Sequence, residues 1–407
     1  MGYFRQAIKG VSWMGALRVS TRAIAFVKIA ILARLLTPEQ FGVFGIASIV
    51  LAFLEILTET GINIFFIQGE GKIKDYIDTS WVVSIARGFI ISIIILFASR
   101  YIAYFLNSPE SYGLLKLICL VPLLRGFINP AIVKFQKNLE FNKEFVFRFV
   151  IFSLDAVAAI ILALITKSAT SLVWGLIVGA LMEIILSIIL VKPRPKFTFD
   201  FKKIKQVISR GKWVTIYGIF NYSFENGDDI VVGKLLNTSS LGIYQVAYKI
   251  SSLPITEIAD VIGKVTLPVF VDISGEIARL RIAFKKTILI VSVLVTGMGL
   301  LLFIFPREVV MLILGDQWLS AVPVLRVLSI LGVIRAILTV PNAVFLAFKK
   351  QEYVSTITFV SLLILAISIV PLVSKYGILG AAVSATFGAA LSLPFSAYFM
   401  YKVFKRK

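Results

Sequence analysis

The chain has 407 residues, 58% of them hydrophobic, and a mean hydropathy of +0.93, far above the roughly 45–50% apolar usage of a soluble domain; a water-soluble globular protein is excluded. The net charge of +20, from 42 Lys and Arg against 22 Asp and Glu, would suit a nucleic-acid binder, but the cations sit between apolar runs on one side of the chain's path, so nucleic acid is not an expected partner. A single cysteine, Cys119, excludes an internal disulfide, and the lack of histidine removes the commonest metal ligand and general base; redox and zinc chemistry are set aside and no cofactor is expected.

Apolar runs such as "FIISIIILFAS" and "TILIVSVLVTGMGLLLFIF" extend to the ~20 residues that cross a hydrocarbon core of about 30 Å. None alternates with the period of two that a transmembrane barrel requires, so the spans are helices. Twelve are predicted, at roughly 12–36, 41–67, 79–106, 112–134, 145–166, 169–191, 213–236, 241–271, 284–306, 319–347, 353–374 and 377–401. Arg18, Arg22 and Lys28 interrupt the first, which therefore reads as a retained span and not a cleavable signal peptide.

With the N-terminus inside, the inner segments carry Arg5, Lys9, Lys72, Lys74, Lys134, Lys137 and Lys143, then the run from Lys192 to Lys212, then Arg279, Arg281, Lys285, Lys349, Lys350 and the C-terminal Lys402 to Lys407. The outer loops hold little beyond Arg100, Lys167, Arg307 and Lys375. That bias places both termini in the cytoplasm of a cell that keeps this protein in its plasma or inner membrane. All five tryptophans fall near the first turn of a span, where a headgroup-level ring is expected.

In chain order, Arg18 and Arg22 share one face of the first span, and from a start near residue 12 they lie roughly 9 and 15 Å deep. The stretch "RLLTPEQFGVFGIAS", 34–48, follows: Thr37 suits an N-cap, Pro38 a first helical position, and Gln40 completes a capping box. Span two carries Glu55 and Glu59, span three Arg87, and span four Lys116 and Arg125 ahead of Pro130. Asp155 and Glu183 are isolated, as are Glu257 and Asp260 in span eight. The polar stretch 192–212 could lie on the anionic inner leaflet as an amphipathic helix or serve as a solvated tether. Span seven holds Glu225, Asp228 and Asp229 in "SFENGDDIVVG", and span ten holds Arg326 and Arg335 ahead of Pro341.

"KLLNTSSLGIYQVAY", 234–248, repeats 34–48 at an offset of 200: Leu35, Leu36, Gly42 and Ala47 match Leu235, Leu236, Gly242 and Ala247. Lys116 and Arg125 are nine apart, as are Arg326 and Arg335. Two matches in one order argue for duplication, with span one paired to span seven and span four to span ten. Six helices per half return the chain to its starting side, so the halves are parallel repeats. The expected fold is an all-α polytopic membrane protein of about twelve transmembrane helices in two pseudo-symmetric six-helix lobes, 1–191 and 213–407, around a central cavity, joined by the basic linker 192–212.

An ionisable group inside a span is costly and usually faces a cavity or a partner. Arg18, Arg22, Arg87, Arg125 and Arg335 would line a cationic cavity suited to phosphate or pyrophosphate oxygens; the other reading is that such cations snorkel or neutralise acids. Glu225, Asp228, Asp229, Glu55 and Glu59 are candidates to carry a proton or sodium, the alternative being static pairing with Arg18, Arg22 or Lys264. No P-loop segment is present.

"RLLTPEQFGVFGIASIVLAFLEILTETGINIFFIQ" and "WVTIYGIFNYSFENGDDIVVGKLLNTSSLGIYQVAYKISSLPITEIADVIGKVTLPVF" resemble the openings of the two lobes in the polysaccharide transporter (Wzx-type flippase) family of the MOP superfamily. Asp229, Gly233 and Lys234 match that family's motif at the end of the seventh span, and Gly42 and Gly242 its paired helix starts. Glu59-Thr60-Gly61 stands where relatives commonly carry an Asp-Leu-Gly-like stretch. The resemblance implies a flippase, not an enzyme, that moves a polyprenyl-pyrophosphate-linked oligosaccharide to the outer leaflet by alternating access, in contact with membrane lipids, with H+ or Na+ as coupling ions and polysaccharide-assembly machinery as a partner. The competing functions are a MATE-type multidrug or cation antiporter, which an arginine-rich cavity disfavours, and a membrane glycan polymerase or ligase, which the short outer loops disfavour.

Overall fold

The computed structural model describes residues 2–58, 73–201, 204, 218–219, 222–223 and 225–405. They are helices and connections, with no strand among them. The chain divides into two compact units, Met1–Gly227 and Asp228–Lys407.

The first unit contains α1 (Gly2–Leu35), α2 (Pro38–Leu57), α3 (Ile73–Phe105), α4 (Ser111–Ile118), α5 (Leu120–Arg125), α6 (Lys134–Lys137), α7 (Phe141–Thr166) and α8 (Thr170–Leu190). The α1–α2 junction folds as its residues dictate. The Gln40 N–H donates to Thr37 Oγ1 at 3.3 Å and the Thr37 N–H to Gln40 Oε1 at 3.0 Å, the reciprocal bonds of a capping box. Phe41, Gly42, Ile46 and Ala47 then turn inward, and a core of Val43, Leu51, Ile91, Ile95, Leu115, Val173 and Ile177 closes around α2. Helices α7 and α8 form an antiparallel hairpin: Arg148 meets Glu183, Ile151 meets Gly179, and Asp155 meets Gly175. Gly175 is where the backbones come closest, for a Cβ there would lie 2.6 Å from Asp155 Oδ1 and 2.8 Å from Ala159 Cβ.

The boundary falls within α9 (225–235), and the second unit goes on to α10 (Thr238–Ser251), α11 (Leu253–Asp272), α12 (Ile277–Ile304), α13 (Pro306–Ile313), α14 (Val322–Ala347) and α15 (Gln351–Lys405). Asn237 caps α10 by accepting from the Ser240 N–H at 2.8 Å, and Leu241, Gly242, Val246 and Ala247 are buried, as are their counterparts 200 residues earlier. The 55 residues of α15 are two spans. Gly377 breaks it with φ 60°, a left-handed conformation that glycine adopts freely, and the partners then run in opposite order: Tyr353 stacks on Phe399 at 4.3 Å, Gly388 faces Ser361, and Gly380 faces Leu372.

By length and hydropathy seven helices among the described residues can cross a membrane, and the bent segment from Ser111 to Lys137 makes an eighth. Outward-facing Phe97, Ile165 and Ile367 are 74%, 74% and 68% exposed, the apolar belt of a chain whose surface meets lipid. The protein is an all-α polytopic membrane protein.

Four details differ from the sequence expectation. Helix α1 begins at Gly2, ten residues earlier than predicted. Span four bends by 69° ahead of Pro130, because proline forces Asn129 out of the helical region; Asn129 is extended and its side chain accepts from the Ala131 N–H at 2.9 Å. Span eight is interrupted at Ser252, since Pro254 cannot donate to the Ile250 carbonyl, and α11 restarts with that proline in its first turn. Trp318 is fully buried in the 3-10 turn Asp316–Ala321 and not at a headgroup-facing surface. Of span seven only 218–219, 222–223 and α9 fall within the described residues, and of the polar linker only 192–201 and 204.

Candidate functional site

Three helices of the first unit converge at Glu55. Glu55 stands in the last turn of α2, and Arg125 at the end of α5 donates from Nη1 to Glu55 Oε1 at 2.8 Å. Arg87 on α3 donates from Nε to Thr58 Oγ1 at 3.0 Å and from Nη2 to the Glu55 carbonyl. Its guanidinium therefore caps the C-terminus of α2, where unsatisfied carbonyls and the helix dipole favour a cation. One guanidinium is thus bonded to the Glu55 carboxylate and the other to the main-chain carbonyl of the same residue. All three side chains are half-buried.

One acid on each of α7 and α8 also holds a cation. Lys28 Nζ lies 2.8 Å from Asp155 Oδ1 and 3.0 Å from Oδ2, bracing α1 against α7 beneath Gly175, and Arg148 Nη1 lies 2.8 Å from Glu183 Oε1. Arg125 is within electrostatic reach of both Glu183 and Asp155. Arg18 is half-buried and Arg22 exposed, one turn apart on α1.

The second unit holds two adjacent acids. Asp228 is buried, and its Oδ2 accepts from the Tyr244 hydroxyl at 2.6 Å while Oδ1 accepts from the Asp229 N–H at 3.1 Å. Asp229 Oδ2 accepts from Gln245 Nε2 at 3.0 Å. Arg335 on α14 donates from Nη1 to the Tyr248 hydroxyl at 2.6 Å and is within electrostatic reach of Asp228. Lys249 stands in the same relation to Asp229. Glu225 is exposed at the start of α9, and Glu59 lies outside the described residues. The described residues include no group of three or more carboxylate or cysteine side chains able to hold a metal ion.

The structure thus joins Glu55, Arg87 and Arg125 in one cluster, and Asp228 and Asp229 with Arg335 nearby in another. Sequence reasoning missed Tyr244, Gln245 and Tyr248. A signal for two of them existed: Asn237 marks a helical hairpin, so residues almost equidistant from it meet, Asp228 with Tyr244 and Asp229 with Gln245, each pair 16 apart. The 200-residue offset also aligns Lys28 with Asp228, so one repeat position is a cation in the first unit and an acid in the second.

A buried carboxylate whose bonded partners are neutral can take up a proton, and two adjacent carboxylates can share a small cation. Guanidinium groups can receive phosphate oxygens.

Relatives carry comparable sequences. The chain is 24% identical over 339 residues to the lipopolysaccharide biosynthesis protein WzxC of Escherichia coli strain K12, covering 83% of this chain and 69% of the relative. It is 25% identical over 378 residues to the succinoglycan biosynthesis transport protein ExoT of Rhizobium meliloti, covering 93% and 76%. Its fold is similar to that of the lipid II flippase MurJ in an inward closed conformation, with a TM-score of 0.75 at 15% identity, covering 96% of this chain and 88% of that one. The family model described as polysaccharide biosynthesis protein matches residues 31–323, and the chain belongs to that family.

Proposed function

We propose that the protein is a flippase that carries a polyprenyl-pyrophosphate-linked oligosaccharide from the inner to the outer leaflet of the cell membrane during cell-surface polysaccharide synthesis. Both termini are cytoplasmic in this reading, on the positive-inside bias, and the working lobes are 1–191 and 213–407. The observation that carries the proposal is the Arg87–Glu55–Arg125 cluster in a chain whose relatives serve polysaccharide biosynthesis and transport. Arg87 and Arg125 offer planar forks to pyrophosphate oxygens, Arg18 and Arg22 add positive charge on α1, and Arg335 is the cation of the second unit. The multidrug antiporter reading is weaker, since an arginine-rich site repels organic cations.

Asp228 and Asp229, held by Tyr244 and Gln245, are the proposed coupling groups, taking up H+ or Na+ as the protein changes state. Glu55 is committed to Arg125 and serves to orient it. Docking and mere neutralisation are separable. Arg125→Gln together with Glu55→Gln removes both charges, so a neutralising role predicts recovered transport. The account predicts at least a tenfold loss in the double variant, as in Arg125→Gln alone, with the protein still folded; near-normal flux in the double variant would refute the docking role.

A further inference from the structure

The second unit holds a groove that the flippase reading does not use. It has a volume of about 560 Å3 and lies among the start of α12, the middle of α14 and the end of α15. Arg281 and Lys285 stand one turn apart at its mouth, its walls include Ile288, Leu338, Leu393 and Met400, and no acid lines it. Arg281 is held across the mouth by donating to the Phe404 carbonyl at 3.2 Å, and Phe284 packs on the Phe404 ring at 5.6 Å. Lys285 is exposed and makes no hydrogen bond or ion pair with the described residues.

Two polar features lie deeper. Ser396 lines the groove and is 3% exposed, and its buried hydroxyl has no hydrogen-bond partner among the described residues. Pro341 and Ile337 both line it, and because proline has no N–H, the Ile337 carbonyl lacks the helical donor four residues on. A buried hydroxyl without a partner is costly, which favours a bound group that satisfies it.

From Arg281 to Ile288 and from Phe404 to Leu393 the walls run about 10 and 16 Å at 1.5 Å per helical residue. That is roughly the depth of one leaflet in a core of about 30 Å. The mouth lies on the basic, inner side in the orientation of the proposed function, and the inference rests on that reading for its leaflet only. We propose that the groove is a binding site for an anionic glycerophospholipid of the inner leaflet, its phosphate between Arg281 and Lys285, an acyl chain along the apolar wall, and its ester region at Ser396 and Ile337. Basic pockets between transmembrane helices select such headgroups. Beyond Arg281 and Lys285 the only polar side chains in the lining are Ser396 and Tyr401, few partners for a glycan, which disfavours the lipid-linked oligosaccharide as occupant.

The test is native mass spectrometry of the detergent-solubilised full chain titrated with phosphatidylglycerol or with phosphatidylcholine of the same acyl chains. One phosphatidylglycerol should bind at least tenfold more tightly than phosphatidylcholine. Lys285→Gln, which removes no internal bond, should weaken it about fivefold. Ala397→Trp, at an exposed groove position, should remove the site without unfolding the helix. Equal binding of the two lipids, undiminished binding in both variants, or a preference for polyprenyl phosphate over phosphatidylglycerol would overturn the assignment. None of these outcomes depends on transport, so the groove and the flippase reading stand or fall separately.

Discussion

Lys28 and Asp155 show what a single pair contributes. Their side chains are 14% and 15% exposed, so removing one partner leaves a poorly solvated charge, at a cost of roughly 3–5 kcal/mol. Lys28→Met should therefore lower the thermal midpoint sharply, and Lys28→Met with Asp155→Leu should recover most of the loss, because an apolar replacement of both partners leaves no orphan charge. A thermal melt in detergent of the two variants decides it; equal destabilisation of single and double variants would contradict the pairing. Neither partner's choice was legible in the sequence. Lys28 and Asp155 are 127 residues apart, and periodicity tells which residues share a helix face but not which faces meet. Arg125 and Glu55, 70 residues apart, were illegible as a pair for the same reason. Asp228 and Tyr244 differ, since both flank one short turn, and a hairpin fixes its own cross-partners.

At the scale of elements the sequence was most informative where a local residue controls the backbone. Thr37, Pro38 and Gln40 specify a capping box and Asn237 a cap, and both form as read. Pro130 and Pro254 broke spans that apolar length alone made continuous, while Pro341 stays within α14, so a proline marks a possible break without deciding it. Helix packing was less legible, because close approach depends on the facing helix. Gly175 is such a case: its missing side chain admits Asp155 and Ala159 of α7. Gly175→Leu must spread α7 from α8 and should destabilise the protein by about 1–3 kcal/mol from overpacking alone, with additional loss if the Lys28–Asp155 contact is displaced. Gly113, where nothing lies within 4 Å of the same added atom, is the control: Gly113→Ala should leave the melting temperature unchanged or slightly raised.

For the whole molecule, the sequence repeat recurs in the internal structure of each unit. Each has a capped helix opening on a buried glycine, and each has an arginine of its fourth or tenth span bonded to a side chain of the second or eighth, Arg125 to Glu55 and Arg335 to Tyr248. The units differ in sign at one matched position, Lys28 against Asp228, and the proposed function places the substrate's negative charge in the first and the coupling cation in the second. The direct measurement is leaflet exposure of a fluorescent polyprenyl-pyrophosphate oligosaccharide in proteoliposomes, with and without an imposed proton or sodium gradient, for the wild type and Asp228→Asn. The account predicts crossing by the wild type that a gradient of one of these ions accelerates, and crossing by Asp228→Asn that no longer responds to it. Absence of crossing by a folded wild-type protein under either gradient, with uptake of an organic cation instead, would contradict it.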